Sequence, residues 1–238
     1  MRKKIVMSLL FVLCLCQHSH ASFLDLIQDA LKAQTARPSQ NTKIDMGLKE
    51  ALQIGIENTI AYLGKKDGYF ANAAVKILLP EEIRKTEGLL RGVGFGPQLD
   101  EFSLSMNRAA EKAAPIASGI FADAIADMSF DDANRILRGG NTAATDYLKS
   151  KTYNTLLTLF EPAVRGAMNE YQVTQQYDRI AGNVQKLPVV GKMIDLDVNR
   201  YVSAKALDGL FHVLAQEETN IRTNPRARVT DLLKDVFK

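Results

Sequence analysis

Hydrophobic residues in this chain recur along stripes at spacings of three and four. Ile44, Leu48, Leu52, Ile56 and Ile60 follow one another at spacing four, which lays them along a single stripe of an α-helix. No pair of alternating runs joined by a hairpin turn occurs, and no strand–helix–strand rhythm. The expected fold is therefore all-α, an irregular orthogonal bundle of about seven to nine helices with no substantial sheet.

Proline and glycine punctuate that pattern. Thr42, with Asp45 three residues on, resembles a capping box, and Gly64 ends the helix that follows. Val75–Leu79 reads as a short extended segment or a helical turn. Pro80 suits a first helical position, with Glu81 and Glu82 toward the positive pole, and Gly92, Gly94 and Gly96 break that helix. An Ala-rich helix over 98–128 is interrupted at Pro115. Its Ala109, Ala110, Ala113, Ala114, Ala117 and Ala122 permit close helix packing. Ser129 caps a helix over 130–138 that ends at Gly139-Gly140. Helices over 142–160 and 162–180 are expected to divide at Pro162. Asp197 starts a long helix to about Thr223, and Thr230 caps a last turn or two.

The start of the chain carries a different signal. Arg2, Lys3 and Lys4 precede an apolar run from Ile5 to Cys16, and the stretch closes on Ser19-His20-Ala21. This is the pattern of a cleavable signal peptide over residues 1–21. The run is too short to span a bilayer, which needs roughly 20 apolar residues. Leu13 before Cys14 and Leu15 before Cys16 argue against lipoprotein processing. Residues 22–42 read as an N-terminal helix and polar linker, and 43–238 as a single helical domain. The expected location is the periplasm, with no transmembrane segment after cleavage.

Removing the leader changes the chemistry on offer. The full chain has 30 Lys+Arg and 27 Asp+Glu; without the three leader cations the remainder is balanced, which argues against nucleic acid as a partner. Both cysteines and two of the three histidines also lie in the leader. A cysteine nucleophile and a Cys/His zinc site are thereby excluded within one mature chain. His212, inside GLFHVLA, reads as a packed or surface helix residue. Gly92-Val93-Gly94-Phe95-Gly96-Pro97 follows a helix rather than a strand, so it reads as a terminator and turn rather than a phosphate loop. No nucleotide or metalloprotease motif occurs, and no cofactor is called for.

Three polar groups remain. Asn107, Arg108 and Glu111 sit in an otherwise small and apolar helix, with Arg108 and Glu111 three apart. They admit two readings, a structural ion pair or a polar ligand contact. Asp123 and Asp127, spaced four apart near Asp131 and Asp132, read as a solvated acidic face or, more weakly, as oxygen ligands for a divalent cation. Glu218, Arg222 and Arg228 lie near a helix end, either as a hinge tying the last helix to the bundle or as a clamp for a carboxylate or phosphate.

The stretch AKALDGLFHVLAQEETNIRTNPRARVTDLLKDVF resembles the C-terminal signature of an exported bacterial family catalogued as domain of unknown function 4197. GLKEAL, VKILLP, MNRAAEKAAP, MSFDDANRIL, GGNTAAT and LFEPAV fit the same pattern. The resemblance implies a helical exported protein. It supplies no catalytic residue, cofactor or partner.

The leading functional expectation is a non-enzymatic binding or interaction protein, whose partner is an apolar small molecule held between helices or another envelope protein. The alternatives are a hydrolase or lyase drawing on Glu111, Asp123, Asp127 and Glu218, and a structural factor of the cell envelope. General acid–base work needs two such groups converging on one cleft.

Overall fold

The computed structural model describes residues 40–184, 197–228 and 230–236. The expected signal peptide, the helix over 22–33 and most of the loop over 182–191 lie outside the described residues. Residues Ile44–Lys238 form one compact unit.

The described residues are mostly helical and contain no strand. In order they form α1 (Gln40–Gly64), α2 (Glu81–Arg84), α3 (Glu87–Gly92), α4 (Gly96–Ala113), a 3-10 turn (Ala114–Ile116) and α5 (Ala117–Ala126). There follow α6 (Phe130–Arg138), α7 (Ala143–Glu170), α8 (Val173–Val184), α9 (Val198–Thr223), a 3-10 turn (Pro225–Ala227) and α10 (Asp231–Val236). No helix among the described residues is long and apolar enough to cross a membrane.

Local chemistry sets most boundaries. Ser129 Oγ accepts from Asp132 N–H at 3.1 Å while the Asp132 carboxylate accepts from Ser129 N–H at 3.2 Å, so a reciprocal capping box opens α6. Asp197 caps α9 by accepting from Arg200 N–H at 3.0 Å. Pro115 replaces an α-turn by the 3-10 turn between α4 and α5. α1 ends at Gly64.

Four boundaries differ from expectation. α1 already begins at Gln40, so Thr42 stands within its first turn rather than at the N-cap. The helix expected after Pro80 divides into α2 and α3 around Lys85 and Thr86. Gly96 opens α4 instead of breaking a helix. Pro162 does not end a helix: α7 runs through it. Pro162 and Thr158, whose carbonyl loses its helical donor, both lie on the exposed face, where water can serve that oxygen. The break comes instead after Glu170, where Gln172 takes φ 54°.

α7 is the central element, packed against α9, α4, α5, α6 and α8. Leu148, Leu156, Phe160 and Val164 on it are fully buried at spacings of four and eight. Phe121 of α5 meets Phe211 of α9 edge-on, centroids 5.7 Å apart and planes at 84°, a favoured aromatic geometry. Ala109, Ala110, Ala113, Ala114 and Ala117 are sealed in the core, while Ala122 is exposed. The alanines thus serve helix-to-helix contact and do not line an open apolar groove.

The segment between α1 and α2 is irregular and lies directly on α9. A Cβ added to Gly209 would stand 2.8 Å from Tyr69 Cε1 and 3.1 Å from Val75 Cβ, so that approach requires glycine. Tyr69 is fully buried and donates its hydroxyl to the Ala206 carbonyl at 2.8 Å. Burial, and secondarily the nearby Glu111 charge, push its pKa up.

Candidate functional site

Asn107 and Glu111 stand one helical turn apart on α4 and face the irregular segment. Asn107 accepts from Ile77 N–H at 2.8 Å and donates to the Ile77 carbonyl at 2.9 Å. A side-chain amide thus stands in for a neighbouring strand and satisfies both main-chain groups of a buried residue. Glu111 Oε1 accepts from the N–H groups of Tyr69 and Phe70, each at 3.1 Å. Its Oε2 accepts from Arg108 at 2.6 Å, and Arg108 reaches on to Asp67 at 2.7 Å. Asp67 has φ 68°, a conformation aspartate tolerates better than most residues. Burial works against the Arg108 charge, but the Glu111 and Asp67 carboxylates outweigh it and its pKa is raised.

The second cluster ties helix ends together. Thr142 makes no side-chain cap at the start of α7. Glu218 of α9 supplies it instead, accepting from Ala144 N–H at 2.9 Å and from Thr145 N–H at 2.8 Å. Arg222 donates to Glu218 at 2.9 Å and to the Ile136 carbonyl at the end of α6 at 2.9 Å. Arg228 donates to the carbonyls of Ile221 and Arg222 at 3.0 and 2.8 Å. A carboxylate therefore sits at one helix's positive pole and guanidinium groups at two negative poles. The adjoining cavity, lined by Leu48, Leu52, Leu214 and Glu218, holds about 20 Å³, room for about one water.

The structure thus joins Arg108 to Glu111 and Arg222 to Glu218, in two clusters with different partners. Asp123 and Asp127 are exposed and line a third place, a groove of about 450 Å³ between α5 and α7 with Asp132, Tyr147 and Lys151. Asp132 is already committed to the α6 capping box and to Arg135. No group of three or more His, Cys, Asp or Glu side chains suited to a metal ion occurs among the described residues.

Sequence reasoning missed a cleft of about 370 Å³ between the irregular segment and α9, lined by Lys76, Arg84, Tyr201, Lys205, Asp208 and His212 among others. Tyr201, Lys205, Asp208 and His212 recur at spacings of four, three and four, one polar stripe along α9. That spacing was the available signal. The Tyr201 hydroxyl donates to the Leu78 carbonyl at 2.9 Å. Its pKa is raised by burial, with Arg84 opposing. Lys205 approaches Asp208 at 3.5 Å, and His212 shares a 3.1 Å contact with Gln216. Three basic residues from three parts of the chain thus line a cleft with one carboxylate, the Lys76 ammonium lying 4.1 Å from the Phe70 ring centroid.

The family model described as "Protein of unknown function (DUF4197)" matches residues 38–238. The chain belongs to the DUF4197 family. The match takes in every described helix, and with them both clusters and the cleft. No curated protein and no solved structure matches this DUF4197 chain.

Proposed function

We propose that this DUF4197 protein is an exported, non-enzymatic binding protein of the periplasm that holds a small anionic ligand in the cleft between Lys76, Arg84 and Lys205. The observation that carries this reading is that those three basic residues line one open cleft with a single carboxylate, Asp208. Such a cleft concentrates anions through its summed field, and Arg84 adds the planar fork suited to carboxylate or phosphate.

The hydrolase or lyase alternative has less support. Glu111 and Glu218 spend their oxygens on main-chain N–H groups and arginines, and they belong to separate clusters. The apolar-carrier version is also weaker, since the core alanines are packed and the apolar cavity beside α1 holds about 20 Å³. Export rests on the leader pattern of residues 1–21.

The test is to recover the protein from a periplasmic fraction, read its N-terminus, and identify by mass spectrometry what is released on denaturation. The reading expects a chain beginning at Ser22 and a stoichiometric small anion, absent from Arg84→Glu/Lys205→Glu protein. Cytoplasmic recovery would remove the export part, and a ligand unaffected by the double substitution would remove the cleft.

A further inference from the structure

His212 is the one histidine in residues 22–238, and it lines the anion cleft. It stands on α9 one turn beyond Asp208 and two beyond Lys205, on the same helix face. The side chain is exposed. Its Nε2 meets the side-chain Nε2 of Gln216 at 3.1 Å. An amide N–H bonds to a ring nitrogen only when that nitrogen is unprotonated, so this arrangement suits the neutral imidazole with its proton on Nδ1. Nδ1 has no hydrogen-bond partner among the described residues, which leaves its N–H to water or a ligand.

Histidine is the side chain whose ordinary pKa places its charge change between about pH 5 and 8. Protonation of His212 brings a fourth positive charge to a cleft already lined by Lys76, Arg84 and Lys205. Gln216 is exposed as well, so its amide can turn over and present Oε1 to the charged ring. The surrounding groups divide by sign. Asp208 favours the charged imidazole, and so, more remotely, does Glu82 on α2, whose charge is felt at Tyr201. Lys76 from the irregular segment, Arg84 from α2 and Lys205 from α9 oppose it. Lys149 of α7 opposes it too, its ammonium 5.7 Å from the ring centroid of Phe211, the preceding residue. Tyr201 stays neutral across this range, since burial raises its pKa. An anion in the cleft offsets the opposing cations. It therefore favours the charged ring, and by linkage the charged ring favours the anion by the same factor.

We infer that His212 is a fourth, switchable anion contact of this cleft, so that the protein holds its ligand more tightly at mildly acid pH and releases it as pH rises through the histidine range. This rests on the reading of the cleft as an anion site.

The experiment is calorimetric titration of sulfate into the full mature chain at about pH 5.5 and about pH 8, at constant ionic strength. Sulfate keeps its charge over that range, so a change in affinity reports on the protein. Wild type is expected to bind at least about threefold more tightly at the lower pH. It is also expected to take up protons on binding near about pH 6.5, read from the dependence of the heat on the buffer's ionisation enthalpy. His212→Gln is expected to bind equally at both pH values without that uptake. His212→Lys is expected to bind equally at both, as tightly as wild type does at the lower pH. Both variants replace an exposed side chain and are expected to keep the wild-type melting temperature; the wild-type proton uptake carries the test should either misfold. Equal wild-type affinity at the two pH values, or a pH dependence that persists in His212→Gln, would overturn the role of His212 and leave the cleft reading standing. Absence of sulfate binding to wild type at either pH would overturn both.

Discussion

Arg222 donates to Glu218 at 2.9 Å from the next turn of α9, and both side chains are at most 9% exposed. The pair is not self-contained. Through Glu218 it holds the start of α7, and through Arg222 the end of α6. Removing the carboxylate leaves two helix N–H groups uncapped and takes from the Arg222 guanidinium the oxygen it donates to at 2.9 Å. Breaking such a pair costs about 3–5 kcal/mol. Glu218→Ala is therefore expected to lower the urea midpoint strongly, and Arg222→Met, which also loses the bond to the Ile136 carbonyl, to do likewise. Denaturation curves that shift by less than about 1 kcal/mol for both would contradict this role.

Asn107 makes a sharper test because its work is neutral. Asn107→Ala leaves the N–H and C=O of Ile77 unpaired at a residue 1% exposed, at about 1–3 kcal/mol for each buried group. Hydrogen exchange should quicken at Ile77 first, since its donor is the one released. Asn107→Asp keeps the acceptor and loses the donor, so Ile77 N–H is expected to stay protected there while stability still falls. Equal exchange at Ile77 in both variants would count against the pairing.

Two glycines are expected to respond oppositely to alanine. Gly209→Ala drives a methyl against Tyr69 and Val75, and overpacking of this kind costs about 1–3 kcal/mol. Gly166 lies inside α7, exposed, with nothing within 4 Å of an added Cβ. Gly166→Ala should stabilise by about 0.5–1 kcal/mol through helix propensity. Thermal denaturation of the two variants reads both signs.

The Asp132 carboxyl is held at about 2, below its ordinary 3.8, by hydrogen bonds from the Ser129 hydroxyl and backbone N–H and by Arg135. A carboxyl depressed in the folded state adds stability above its unfolded pKa and loses it as pH falls through the folded value. The capping box is thus expected to be intact above about pH 4 and to weaken toward pH 2. Carboxyl NMR titration should show Ser129→Ala moving Asp132 back toward its ordinary range. An unchanged titration would mean that Arg135 alone sets it.

What the sequence disclosed follows the range of each interaction. The cap at Ser129, the helix start at Asp197 and the interruption at Pro115 act within a few residues, and all three are legible in the sequence. Pro162 was misread because its effect depends on whether the face it occupies is wet, which tertiary packing decides. Glu218 and Arg222 were recognised as a pair, but their targets at Ala144, Thr145 and Ile136 lie more than seventy residues away, so the helix-end role stayed open. The cleft was missed altogether. Its polar stripe on α9 was visible in the spacing, whereas Lys76 and Arg84 come to it only because the irregular segment is laid on Gly209.

The central claim is that the cations of this cleft bind, while the two acidic–arginine clusters hold the fold. Calorimetric titration of citrate and pyrophosphate into wild type and Arg84→Glu/Lys205→Glu protein, at low and high salt, tests it most directly. The account predicts saturable binding of at least one anion to wild type, weakened by salt, and reduced at least tenfold in the double variant at an unchanged melting temperature. Absence of binding of either anion to wild type, or equal affinities for the two proteins, would contradict it.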